Sequence, residues 1–208
     1  METMEVRSAA FERFAGFAAM VVGLGGIAYA ILFITLLHNA TKGAAAASAL
    51  LLMIGGVATT AVLIAVYERL APGDPGFALW GAVVGVAGAI GSALHGAFDL
   101  APLAHKVATS PLAANPTDPR GFATFGLSAL AVAIVSWLIL RGGAFDRRLA
   151  YVGFVASALL ILIYLGRLIA YDPNLAWLKV AAYASGLVVN PVFFVWLGLQ
   201  LRKGSTRS

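Results

Sequence analysis

Six runs of predominantly apolar residues, at approximately 14–37, 43–67, 77–103, 121–140, 149–171 and 175–201, account for most of this 208-residue chain. A helix needs about 20 consecutive apolar residues to cross the hydrocarbon of a bilayer, and each run meets that length. Lipid offers no hydrogen bonds to a bare backbone, so a spanning segment must be a helix or part of a closed barrel. A barrel would show alternating strands of roughly ten residues, which these runs do not. The chain is therefore expected to be all-α: one integral membrane domain, residues 1–208, folded as a bundle of six transmembrane helices. Only 11% of its residues are charged, against about a quarter in a soluble domain, so no soluble core would absorb this much apolar surface.

The breaks between runs carry their own chemistry. Residues 1–13 mix Glu2, Glu5, Arg7, Glu12 and Arg13 with Val6 and Phe11, which predicts a short helix on the membrane surface ahead of the first span. A cleavable signal peptide is the rival reading, because Ala28-Tyr29-Ala30 has the small-x-small form of a cleavage site. The apolar run continues past it to Leu37 behind a leader that is not clearly basic, so the segment reads as a span. Pro72, Gly73, Pro75 and Gly76 predict a tight turn between spans two and three. Residues 104–120 hold Pro111, Pro116 and Pro119 and are expected to form the longest loop. A short basic loop from Arg141 to Arg148, and a turn at Asp172-Pro173-Asn174, complete the connections.

Six spans put both termini on one side of the membrane. That side holds Arg7, Arg13, Arg69, Arg141, Arg147, Arg148, Arg202, Lys203 and Arg207, whereas the other holds only Lys42, Lys106, Arg120 and Lys179. The asymmetry predicts cytoplasmic termini. It also accounts for the net charge of +5 without invoking nucleic acid, so the lipid bilayer is the expected partner. Cysteine is absent, which excludes disulfides, thiolate metal sites, haem attached through Cys-x-x-Cys-His and thiol redox chemistry. No other motif names a cofactor or a catalytic class.

Span three contains the most costly residues. Gly81, Gly85, Gly88 and Ser92 recur at spacings of three and four, the small-residue stripe that lets helices approach closely in lipid. His95 and Asp99 continue that rhythm, so they should face the bundle and not the lipid. A matching stripe in span one, Gly16, Ala19, Gly23, Gly26 and Ala30, predicts that spans one and three are direct neighbours. At a rise of 1.5 Å per residue, Asp99 lies roughly 6 Å and His95 roughly 12 Å below the outer end of span three, and Arg167 roughly 6 Å below that of span five. Tyr29, Tyr164 and Tyr183 fall in the same outer half. Intramembrane ionisable groups are functional candidates, so His95, Asp99, Arg167, Tyr29, Tyr164, Tyr183 and Asn190 are expected to line a polar pocket open to the outside. The competing reading is a buried Asp99–Arg167 pair that locks spans three and five together, and a third lets Arg167 snorkel to the surface.

His38 and His95 invite a metal or haem, since neutral imidazole is a common ligand. His38 sits at the end of its span, however, and a His four residues before an Asp is not by itself the signature of a zinc enzyme class. No metal is assigned on the sequence. Asn190-Pro191 interrupts span six: the proline frees a carbonyl near Leu187 and the asparagine adds an amide at mid-membrane depth. A hinge, a backbone ligand site and a static kink all fit. Trp137, Trp177 and Tyr171 read as interfacial anchors, and Glu68 as an interfacial charge.

From Gly121 onwards, the Arg147-Arg148-Leu149 entry to span five and the segment Val189-Asn190-Pro191-Val192-Phe193-Phe194-Val195-Trp196-Leu197-Gly198 resemble a family of small bacterial six-span membrane proteins known only as a domain of unknown function. The resemblance implies a bacterial cytoplasmic membrane and six helices, and it brings no catalytic residues. The expected role is binding or passage of a small solute or ion through the outer polar site. Two others stand beside it. One is a non-catalytic subunit packed through its glycine-rich faces into a homo-oligomer or larger membrane complex; the other is an intramembrane lipid or isoprenoid enzyme with Asp99 as acid.

Overall fold

Polar residues between the apolar runs set where helices begin. In a computed structural model, which describes residues 2–36, 41–105, 121–170 and 175–203, Thr41 takes an extended conformation and its Oγ1 accepts the amide of Ala44 at 3.3 Å. That cap opens α2 (Lys42–Leu70). Asp74 does the same for α3 (Pro75–His105), its Oδ1 accepting the Phe77 amide, with Pro75 in the first turn where no donor is missed. Asp146 accepts the Arg148 amide at 2.9 Å to start α5 (Arg147–Ala170), after Gly143 at φ 67° ends α4 (Ser128–Gly142). The side chains of residues 2–8, 34–36, 104, 105, 167 and 170 lie outside the description.

The first helix, α1 (Glu2–Leu36), runs without a break, so the helix expected at the start of the chain continues directly into span one, whose apolar stretch begins at Ala9. Span four is a π-helical stretch, π1 (Phe122–Leu127), continued by α4. Span six is α6 (Ala176–Tyr183), a second π-helical stretch π2 (Ala184–Val189), and α7 (Asn190–Arg202). Six segments are thus long and apolar enough to cross a membrane, and no strand occurs among the described residues. The loop expected over 104–120 falls almost wholly outside the described residues, as do His38 and Tyr171.

The six segments close into a ring in chain order. α1 packs on α2, α2 on α3, α3 on π1 and α4, α4 on α5, α5 on α6, and α7 returns to α1. The expected adjacency of spans one and three is therefore wrong: α1 and α3 are not among the substantially packed pairs, because each spends its small-residue stripe elsewhere. Gly16 lies so close to α7 that a Cβ there would sit 2.7 Å from the Gly198 carbonyl oxygen, and one at Gly23 would sit 3.0 Å from that of Pro191. On α3, Gly81 faces Ile134 of α4, Gly85 faces Leu63 and Ala131, and Gly88 faces Ser128. Between α2 and α3, Gly56 abuts Ala93 and Gly96 abuts Met53. In lipid such contacts stabilise by van der Waals packing of backbones.

We call the end of the bundle that holds the start of α1 and the end of α7 proximal and the other end distal. The main apolar core is proximal, built from Ala15 and Ala19, Val62 and Val66, Ile134, Leu138 and Ile139, Leu149, Phe193, Leu197 and Leu201. Among the described residues the distal half forms a small cluster of Ile163, Leu178 and Ala181.

Candidate functional site

α3 has two faces of opposite character. Val83, Ile90, Leu94 and Phe98 are exposed on the outer side, while the stripe from Gly81 through Gly88 packs inward on span four. At 100° per residue His95 and Asp99 belong to the inward face, as expected from the sequence. His95 Nε2 lies 3.4 Å from Asp99 Oδ2, and His95 Nδ1 lies 3.3 Å from Thr124 Oγ1 on π1. The His95 and Asp99 side chains keep 18% and 23% of their exposure, so the cluster is not sealed. Thr124 itself is buried.

Thr124 was not legible as a site residue. Its only signal was a hydroxyl at the start of span four. The π-helical backbone around it carries more residues per turn than an α-helix and is a recurrent feature of functional sites; here it lies directly against the Gly88–Gly91 surface of α3. The same stretch places Phe122 against Tyr164 of α5, ring centroids 5.7 Å apart. Tyr164 thus touches the element that carries Thr124, and α5 packs on both π1 and π2.

Asn190 donates its side-chain amide to Ser185 Oγ at 2.7 Å. In an α-helix residues five apart point roughly 140° away from each other, and only the wider π turn brings them together. Pro191 supplies a reason for that turn. It has no N–H for the carbonyl one turn earlier and its ring crowds it, a conflict that one extra residue per turn relieves. The break foreseen at Asn190-Pro191 is therefore a π segment whose hydroxyl–amide bond lies within one span. Tyr29 stacks on Phe33 of its own helix, centroids 6.0 Å apart, and Tyr183 is half-buried on span six. Spans three and six stand on opposite sides of the ring, so His95 with Asp99 and Asn190 with Ser185 are separate polar pairs. The Arg167 side chain lies outside the description, and span four packs between the helices that carry Asp99 and Arg167.

A second polar cluster, at the proximal end, went unanticipated. Arg69 of α2 donates from Nε to Glu12 Oε1 at 2.6 Å and from Nη2 to Glu12 Oε2 at 3.3 Å. It also donates to the carbonyls of Gln200 and Leu201 in the last turn of α7, at 3.0 and 2.8 Å. Its guanidinium carbon lies 5.2 Å from the centre of the Phe145 ring, and Gln200 Oε1 accepts the Asp146 amide at 2.7 Å. One buried guanidinium thereby ties together α1, α2, α7 and the turn before α5. Its neighbour Glu68 is exposed, in keeping with an interfacial charge.

No family model, no curated protein and no solved structure matches this chain. What the fold defines among the described residues is an all-helical bundle of six segments able to cross a membrane, with a buried ionic knot at one end and an unsealed imidazole–carboxylate–hydroxyl set at the other.

Proposed function

We propose that the chain is a multi-pass protein of a bacterial cytoplasmic membrane, with both termini in the cytoplasm, that binds or passes a small solute or ion through a site facing the outside. The observation that carries this reading is the His95–Asp99–Thr124 set, held at 3.4 and 3.3 Å on the inward face of the bundle where the main apolar core has already ended. Ionisable groups at membrane depth are costly and persist where they line a path or bind a charge. The excess of arginines around the proximal end supports the orientation. A role as a subunit docked through glycine faces has less to support it, since Gly16, Gly23, Gly56, Gly81, Gly85, Gly88 and Gly96 already meet the chain's own helices.

The absence of native cysteine makes the test direct. Single substitutions Asp99→Cys and Ile139→Cys are exposed in sealed vesicles to a charged, membrane-impermeant thiol reagent from each side. Asp99→Cys should react from the outer side only, and Ile139→Cys from neither. Protection of Asp99→Cys from both sides would mean a dry helix lock and would end the proposal.

A further inference from the structure

We propose that the proximal end of the seam between α3 and α4 binds one anionic glycerophospholipid, with the Arg141 guanidinium on its phosphate. This site is separate from the distal one and rests only on the part of the reading above that places the six segments in a bilayer.

A contrast between two arginines at the same end is the first argument. Arg69 is buried and bonded to Glu12, Gln200 and Leu201. Arg141 is exposed, and its guanidinium carbon lies over the Trp137 ring, 4.6 Å from the centroid. Among the described residues no carboxylate pairs with it. Stacking on a ring covers one face of a guanidinium and leaves the N–H groups around its rim free. Those groups form the fork that matches phosphate oxygens in pairs.

Direction and depth are the second argument. Trp137 precedes Arg141 by one turn, and α4 runs toward the proximal end, so the guanidinium lies back toward the membrane. A snorkelling arginine would extend away from it, into water. Trp137 stands five residues before the end of α4, and Trp80 five residues after the start of α3, so both rings lie about 7.5 Å inside their helix ends. Phe77 joins them, its centroid 4.7 Å from that of Trp137 and 6.0 Å from that of Trp80. Amphipathic rings at a membrane boundary sit at the level of the headgroups.

The seam below the rings supplies the third. Gly81 lies against Ile134 and Gly85 against Ala131, which holds α3 and α4 close together. At 100° per residue Trp80, Val84 and Ala87 share one flank of that contact on α3, and Trp137, Ala133 and Leu130 the facing flank on α4. Ala87 and Leu130 are exposed, and Val84 and Ala133 half-buried. Wide rings at the mouth and small side chains beneath them leave a shallow path for an acyl chain under a headgroup. Charge then selects the headgroup. Exposed Arg147 and Arg148 begin the next helix at the same end, and the nearby Asp74 carboxylate already accepts the Phe77 amide. A phosphate without an attached cation is therefore favoured over a zwitterion.

The test uses the full-length protein in detergent, delipidated and titrated with dioleoyl phosphatidylglycerol or dioleoyl phosphatidylcholine, with bound lipid counted by native mass spectrometry. Wild type should retain one phosphatidylglycerol per chain and prefer it about 10-fold over phosphatidylcholine, the order expected of a charge-assisted hydrogen bond. Arg141→Gln should remove the preference, and Arg141→Lys, which keeps the charge and loses the fork, should weaken it. Lys203→Gln removes an exposed cation from span six, across the ring, and should leave the preference unchanged. Folding of each variant is judged by helical circular dichroism and elution volume, and Arg141→Lys decides should Arg141→Gln fail to fold. Equal retention of both lipids by wild type overturns the inference. So does a preference that survives in folded Arg141→Gln, that Arg141→Lys leaves at full strength, or that Lys203→Gln reduces equally. Inorganic phosphate should not compete, and displacement of the lipid by it would overturn the lipid as occupant. Protection of Asp99→Cys from thiol labelling would discard the distal site and leave this one standing.

Discussion

The two ends of the bundle solve the problem of polar groups at membrane depth in opposite ways. At the proximal end Arg69 spends its donors on two carboxylate oxygens and two carbonyls, with the ion pair almost wholly buried at 8% and 12% exposure. A core of Leu, Ile, Val and Phe surrounds it. At the distal end His95 and Asp99 keep about a fifth of their exposure and have a longer contact between them, and both π-helical segments lie in this half. Buried polar groups that bond to several helices hold those helices in register, whereas groups that keep part of their exposure stay within reach of the surroundings. The difference separates anchoring from binding within one small ring of helices.

The contrast can be broken most severely at Arg69. Arg69→Ala strands Glu12 in a buried position and should cost about 3–5 kcal/mol, measured by equilibrium unfolding in detergent micelles. The double variant Arg69→Met with Glu12→Leu should recover most of that loss, since it removes both charges. A recovery of less than half would mean that the carbonyl caps on α7, and not the ion pair, dominate the knot.

Helix seams come next. Gly198→Val places a side chain against the backbone of Gly16 and should destabilise by about 1–3 kcal/mol. Gly26→Ala meets no atom within 4 Å and should leave stability unchanged in the same assay. Ser185→Ala removes the acceptor of the Asn190 amide and should cost about 0.6–1.7 kcal/mol. A larger loss would give the π2 segment a greater share in holding span six together.

A small effect on stability is expected at the distal pair. Asp99→Asn should shift unfolding by less than about 1 kcal/mol, in line with single polar contacts between membrane helices, while abolishing whatever the site binds. A loss comparable to that of Arg69→Ala would erase the distinction between the two ends and make the His95–Asp99 pair another lock.

Much of the architecture follows from local pattern. The six runs, their breaks at Pro72–Gly76 and Arg141–Arg148, and the inward face of His95 and Asp99 follow from apolar length and helical periodicity, which any short window of the chain contains. Stripe pairing is different, because a small-residue stripe says that something packs closely and not what. Gly16 and Gly23 had several stripes to choose from, and closure of the ring gave them to α7. Arg69 looked like one more basic residue at a span end, since Glu12, Gln200 and Leu201 meet it from 57 to 132 residues away. Thr124 and Ser185 depend on π-helical turns, which change which side chains share a face and leave almost no mark in composition.

The sequence by itself determined that the chain is helical, how many segments can cross a membrane and which face of each is apolar, because those properties depend on backbone hydrogen bonding and on neighbours three or four residues apart. Only the tertiary structure decided that α1 meets α7, that Arg69 is the knot, and that His95 holds Asp99 on one ring nitrogen and Thr124 on the other. Those contacts join residues distant in the chain, and their energies depend on which surfaces the closed ring brings within a few ångströms.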